Sequence, residues 1–94
     1  LWMGVPVVAM AGSRRIARRS AGHLTTVGLG DLVASGPEDY VRIASALAGD
    51  TARLAALRGS LRQRVNASAL GDGEGHARKL EAFYREAWRR WCAA

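Results

Sequence analysis

Leu1–Gly12, LWMGVPVVAMAG, is the stretch on which the reading of this chain turns. From Val5 to Met10 it is an almost unbroken apolar run, with Gly4 before it and Gly12–Ser13 after it. A short run that is apolar on both faces fits a strand buried on both sides, as in a parallel sheet. Val is β-branched and suits the pleated backbone. Pro6 donates nothing to a ladder and belongs near the strand's start. Past Gly12 the chain turns polar and helix-like, so the local order is strand, tight turn, helix. In open α/β sheets that turn lies at the carboxyl end of the strand, where ligands bind. Leu1–Trp2–Met3 reads as the last turn of a helix. A parallel strand needs neighbours, and few are available here, so the chain reads as the tail of a larger α/β protein.

The rest of the chain is mostly helical in pattern. Ser13 is a candidate N-cap for a helix at about 14–27, with Ile16, Ser20, Leu24 and Val27 on one face and small Ala17 and Ala21 beside them. Gly28 and Gly30 end it. Leu32–Val33–Ala34 is long enough for one more short strand. Ser35–Gly36–Pro37 opens a helix at 37–48, where Pro37 suits the first position and Glu38 and Asp39 complement the dipole. Its inner stripe is Tyr40, Ile43, Ala44, Leu47 and Ala48. Asp50 caps a helix at 51–66 with Leu54, Leu57, Leu61 and Val65 on one face. Ser68–Gly75 reads as a Gly-rich loop. The final helix, 76–91, carries Ala77, Leu80, Tyr84, Ala87, Trp88 and Trp91 on one stripe, a pattern commoner in cores than in cofactor sites. The fold class is therefore α/β, with one or two short parallel strands followed mostly by helices.

Composition bounds the function. The chain has 94 residues, 49% hydrophobic and 23% charged, which excludes general disorder and allows one small domain. Net charge is +6, and every basic residue except Lys79 is Arg. That balance admits a nucleic-acid partner, but no RNA-binding motif, stacking platform or helix-turn-helix accompanies it. Arg14, Arg15, Arg18 and Arg19 crowd the start of the first helix. Either they form a solvated basic face, or Arg14 or Arg18 faces an anionic ligand at the strand's carboxyl end. Cys92 is alone, and His23 and His76 lack ligand spacing, so no metal site is expected. GDGEG at 71–75 has no strand before it, and Asp72 and Glu74 would repel phosphate, so it is no dinucleotide fingerprint. Asn66–Ala67–Ser68 is a chance sequon. No positive region precedes the apolar start, as a signal peptide would require, and the run falls far short of the ~20 residues that span a bilayer. A soluble, cytoplasmic protein is expected.

Several blocks together resemble one family. LWMGVPVV, the Gly12 turn with Arg14–Arg18, GLGDLVA, EDYVRIASALAGD, LAALRGSLRQRV and LEAFYREAWRRWCA are similar to the C-terminal end of the O-linked N-acetylglucosamine transferase (SPINDLY-like) glycosyltransferases. The resemblance covers essentially the whole chain. It implies the C-terminal part of a GT-B (Rossmann-like) nucleotide-sugar-binding domain, with tetratricopeptide repeats upstream. It implies transfer of a sugar, N-acetylglucosamine, from a nucleotide donor to Ser or Thr of protein acceptors. Relatives use UDP-N-acetylglucosamine or GDP-fucose, and the nucleotide is held mainly by a His, a Lys and a Thr-Thr-Gly…Asp segment that would precede Leu1. The expected partners are the upstream remainder of the polypeptide and the acceptor proteins, with no membrane. The chain alone should be inactive, without catalytic residues and with no cofactor beyond the donor substrate. Topology makes Gly12, Ser13 and Arg14 the candidates to border the donor cleft. The chain departs from the family pattern at Ala11, commonly Pro, and at Arg19, commonly apolar and expected to be buried.

Overall fold

The computed structural model describes all residues, 1–94, and the shape is flat and elongated at 58 × 30 × 14 Å. The order is β1 (Ala9–Met10), a 3-10 turn (Ile16–Arg18) leading into α1 (Arg19–Thr26), a second 3-10 turn (Gly30–Leu32), β2 (Val33–Ala34), α2 (Pro37–Gly49), α3 (Thr51–Ala67) and α4 (Gly73–Ala93). β1 and β2 are parallel, with Ala9 opposite Val33 and Met10 opposite Ala34.

The strand expected at 5–10 is shorter than its apolar run. Only Ala9–Met10 pairs, and residues 5–8 run on without a ladder. Nor is the run buried on both sides. Ala9 is buried, Pro6 and Val8 are half-buried, and Val5, Val7 and Met10 are exposed. The physical reason is the neighbour count: β2 is the only strand available to pair with it, and nothing in these residues covers the second face.

The helix expected at 14–27 is also divided. Its first turn is 3-10, and the α-helix starts at Arg19. Ser13 does not cap it: no side-chain cap bond forms at either start. Four Arg side chains surround a helix start whose dipole favours anions, so the uncapped turn tightens to i→i+3 bonds. Of the expected inner stripe only Leu24 and Val27 are buried; Ile16, Ser20 and Arg19 face outward. The exit is well made. The Leu29 N–H donates to the Leu24 carbonyl at 2.8 Å and the Gly28 N–H to Thr25 at 3.1 Å, with Gly28 at φ +76°. This is a Schellman ending, and its apolar pair Leu24 and Leu29 lies in the core.

α2 and α3 follow their sequence signals closely. Pro37 occupies the first turn of α2, and Ile43 and Leu47 are buried with Ala44 half-buried, while Tyr40 and Ala48 stay outside. The Asp50 carboxylate accepts the Arg53 N–H at 2.8 Å, capping α3, whose Leu57 and Leu61 are buried. Ten residues from β1, α1, β2, α2, α3 and the connections form the core: Ala9, Leu24, Val27, Leu29, Leu32, Ala34, Ile43, Leu47, Leu57 and Leu61. The N-terminal turn docks on α3. Gly4, at φ +78°, lies so near that a Cβ there would meet the Arg58 carbonyl at 2.7 Å. Arg62 donates to the Trp2 carbonyl at 3.2 Å, with its guanidinium 5.5 Å over the Trp2 ring.

α4 starts earlier than expected and buries none of its residues. The loop ends at Asp72, whose carboxylate accepts the Gly75 N–H at 2.8 Å. Gly75 leaves room for that carboxylate, where a Cβ would collide with it. The helix's aromatic stripe, expected in a core, is open to solvent, with Trp88 66% and Trp91 77% exposed. No helix is long and apolar enough to cross a membrane.

Candidate functional site at the carboxyl ends of the strands

Because β1 and β2 are parallel and in register, their carboxyl ends lie side by side. Ala11–Gly12–Ser13–Arg14 leaves one and Ser35–Gly36–Pro37 the other. The Gly12 N–H donates to the Ala17 carbonyl at 3.3 Å, folding the turn back on the 3-10 segment. A Cβ at Gly12 would lie 2.6 Å from that of Ala17, so this approach requires glycine. Ser13 and Arg14 are exposed, and the Arg14 carbonyl accepts from Ala17 at 3.1 Å.

The structure brings Ser13 together with Arg15, Arg18 and Arg19, which line an open hollow of about 530 Å³ with no hydrophobic wall. Arg14 lies outside that lining. None of Arg14, Arg15, Arg18 and Arg19 has a carboxylate within ion-pair distance, whereas Arg42, Arg53, Arg78, Arg85 and Arg90 each have one. The edge is strongly positive and presents guanidinium donors.

Sequence reasoning does not mark the second turn as part of this edge. Ser35, Gly36, Pro37, Glu38 and Asp39 line a neighbouring hollow of about 440 Å³. Asp39 does more than complement the helix dipole. It accepts from the Ser35 N–H at 2.9 Å and the Ser35 hydroxyl at 3.2 Å, and from Arg42 Nε at 3.0 Å. An acid four residues after a Ser at a strand end is the available signal. The Ser35 backbone bond, followed by the Arg42 hydrogen bond, holds the Asp39 carboxyl below its ordinary range. A depressed acid stabilises the fold above its unfolded value of about 3.9, and that contribution is lost as pH falls through the lower folded value. The Ser35 amide proton shift should therefore titrate with a midpoint below about 3.9 by NMR, and Asp39→Asn should abolish the titration. A midpoint at the ordinary value would mean that these bonds do not persist in solution.

No cluster of His, Cys, Asp and Glu gathers in a metal-holding arrangement. His23, His76 and Cys92 are exposed.

Residues 1–80 match the family model for glycosyl transferase family 41. The chain belongs to that family. The family 41 chain is 48% identical over 92 residues to the rice (Oryza sativa subsp. japonica) protein named "Probable UDP-N-acetylglucosamine--peptide N-acetylglucosaminyltransferase SPINDLY", a match covering 98% of this chain and 10% of the rice protein. It is 42% identical over 92 residues to the SPINDLY protein of Arabidopsis thaliana, again 98% of this chain and 10% of the relative. It is 30% identical over 91 residues to the UDP-N-acetylglucosamine--peptide N-acetylglucosaminyltransferase of Caenorhabditis elegans, covering 97% of this chain and 8% of that protein. The family 41 chain thus spans about a tenth of the length of the relatives it matches. The resemblance to O-linked N-acetylglucosamine transferases holds over the whole chain, α4 included.

Proposed function

We propose that this segment closes the nucleotide-sugar-binding domain of a protein O-glycosyltransferase of GT-B architecture. The enzyme transfers N-acetylglucosamine from UDP-N-acetylglucosamine to Ser and Thr of proteins. The observation that carries this reading is whole-length similarity to proteins bearing that name, in plants and in a nematode. The two parallel strands with adjoining carboxyl ends support it, because such an edge is where α/β sheets take nucleotides.

In this reading Gly12, Ser13 and Arg14 border the donor cleft, and the nucleotide is held mainly by residues preceding Leu1. Sugar transfer leaves a diphosphate whose charge grows as the glycosidic bond breaks. A guanidinium at Arg14 favours that charge, more so once the cleft excludes water. The Ser13 hydroxyl and the N–H groups of the turn add neutral donors. The acceptor hydroxyl must lose its proton, and Asp39, one of two acids in the neighbouring turn, is committed to Ser35 and Arg42. In this reading the base, like the main contacts of the nucleotide, lies outside this segment, and the segment alone is inactive. A lone, exposed Cys92 accords with a reducing, cytoplasmic setting.

The bare face of α4 has a place in the same reading. Leu80, Tyr84, Trp88 and Trp91 recur at helical spacing on a helix of 21 residues, about 30 Å long. All four stand exposed in this chain, and the remainder of the polypeptide is their proposed cover.

The test is transfer of labelled sugar from UDP-N-acetylglucosamine to a Ser-containing peptide by the full-length polypeptide. Arg14→Ala should lower kcat/KM for the donor about 10- to 100-fold, the range of one charge-assisted contact. Unchanged donor kinetics would remove Arg14 from the cleft. Transfer from GDP-fucose alone would overturn the choice of sugar.

A further inference from the structure

The carboxyl edge of β1 holds more positive charge than a border of the donor cleft requires. Arg15, Arg18 and Arg19 gather around the 3-10 turn that leads into α1 and line one hollow. All three are exposed and none is neutralised within the chain. They also surround the positive end of the α1 dipole, with no acid in its first turn. Like charges this close repel, and an incoming anion relieves the repulsion.

We propose that the hollow formed by Ser13, Arg15, Arg18 and Arg19 docks acidic residues flanking the acceptor Ser or Thr of the protein substrate. The proposal rests on the reading that the adjoining turn borders the donor cleft, since only there does a docked chain present its hydroxyl to the sugar. Three features favour an acidic peptide. The hollow is open and lacks apolar walls, so it suits a chain lying across it. Guanidinium forks match carboxylates two bonds at a time. An extended peptide presents side chains on one face about 7 Å apart, so successive acids on that face meet different arginines of the hollow. A nucleic acid fits less well. The cluster covers little more than one helical turn and contains no aromatic ring on which a base could stack. Of the other basic groups, Arg62 is occupied by the Trp2 ring and carbonyl.

The experiment uses the full-length polypeptide and two labelled Ser peptides, one flanked by Asp and Glu and one by Asn and Gln. Fluorescence anisotropy at low salt should show the acidic peptide binding about tenfold tighter, as two or three exposed ion pairs allow. The triple variant Arg15→Gln, Arg18→Gln, Arg19→Gln should bind both peptides equally. The triple Arg15→Lys, Arg18→Lys, Arg19→Lys should keep most of the preference, which a collapsed turn would not. Equal affinity in the unmodified protein, or a preference that survives the Gln triple, overturns the proposal. So does displacement of the acidic peptide by UDP, which would assign the hollow to the donor. Tight, steeply salt-dependent binding of an RNA or DNA duplex without any peptide preference overturns it in favour of a nucleic-acid surface. Sugar transfer to the same peptides separates the two readings. Preferential binding without transfer from any donor removes the glycosyltransferase reading and leaves the acidic docking. Transfer without preference does the reverse.

Discussion

Leu61→Ala is expected to cost about 2–5 kcal/mol of stability in the region built from α2 and α3. Leu61 is 0% exposed and shares the core with Leu24 and Leu32, the other two fully enclosed leucines. The substitution removes three carbons, worth about 0.8 kcal/mol each in transfer alone. The void adds to this, because α3 is held at its start and along its middle and cannot simply close in. Asp50 caps its start, and Arg62 and the Arg58 backbone meet the N-terminal turn. Hydrogen exchange of the α2 and α3 amides in the full-length polypeptide measures the loss. Leu61→Met, which keeps the volume, should cost less than about 1.5 kcal/mol. A change below about 1 kcal/mol on truncation to Ala would mean that this core is not the one that holds the segment together.

The second large effect belongs to α4 and depends on what covers it. Trp88→Ala and Trp91→Ala should each cost about 3–5 kcal/mol in the full-length polypeptide, where the aromatic face is proposed to be covered. In the 94-residue chain by itself each should fall within about 0.5 kcal/mol, as exposed positions do. Each indole removes about 150–250 Å² from water when covered, the source of the difference. Quenching of tryptophan fluorescence by acrylamide gives the direct readout. Emission from Trp88 and Trp91 should be shielded in the full-length polypeptide and open in the short chain. Equal quenching in both would leave the face without the proposed cover.

Punctuation is the most readable part of this fold. Pro37, Asp50 and Gly28 each act through a local bond or a fixed dihedral, so their neighbours in sequence suffice to interpret them. Leu57 and Leu61 are equally plain, because their spacing matches one helix face and that face is covered within the chain. The apolar run overstates the strand, since Val5 and Val7 have the right chemistry for a sheet but no neighbour to pair with. Burial is a property of what lies opposite, and these residues place nothing opposite Val5 and Val7. The same limit applies to Trp88 and Trp91, whose periodicity reveals an apolar face and not its cover. The start of α4 misleads for a different reason. Gly73 and Gly75 look like breakers, yet the second makes room for the Asp72 carboxylate.

At the candidate edge the Gly12 turn is legible from the strand–turn–helix pattern. The grouping of Arg15, Arg18 and Arg19 with Ser13 is not, because a run of arginines reads the same whether or not acids elsewhere in the chain fold against it. Only the arrangement of Asp31, Asp39, Glu74, Glu81 and Glu86, all engaged with other arginines, shows that this run is left without counter-charge. Ser35 and Asp39 are signalled only by an acid four residues after a Ser, and that spacing does not say that the strand end is the donor.

The two-stranded sheet has a practical corollary. Each strand is hydrogen-bonded on one flank only, so amide and carbonyl groups along the other flank remain available to a further strand. Such a margin recruits any extended backbone within reach, including that of another molecule of the same kind. With only two residues paired in each strand, that margin is short, and a further strand laid along it would lengthen the ladder that holds β1 and β2 together.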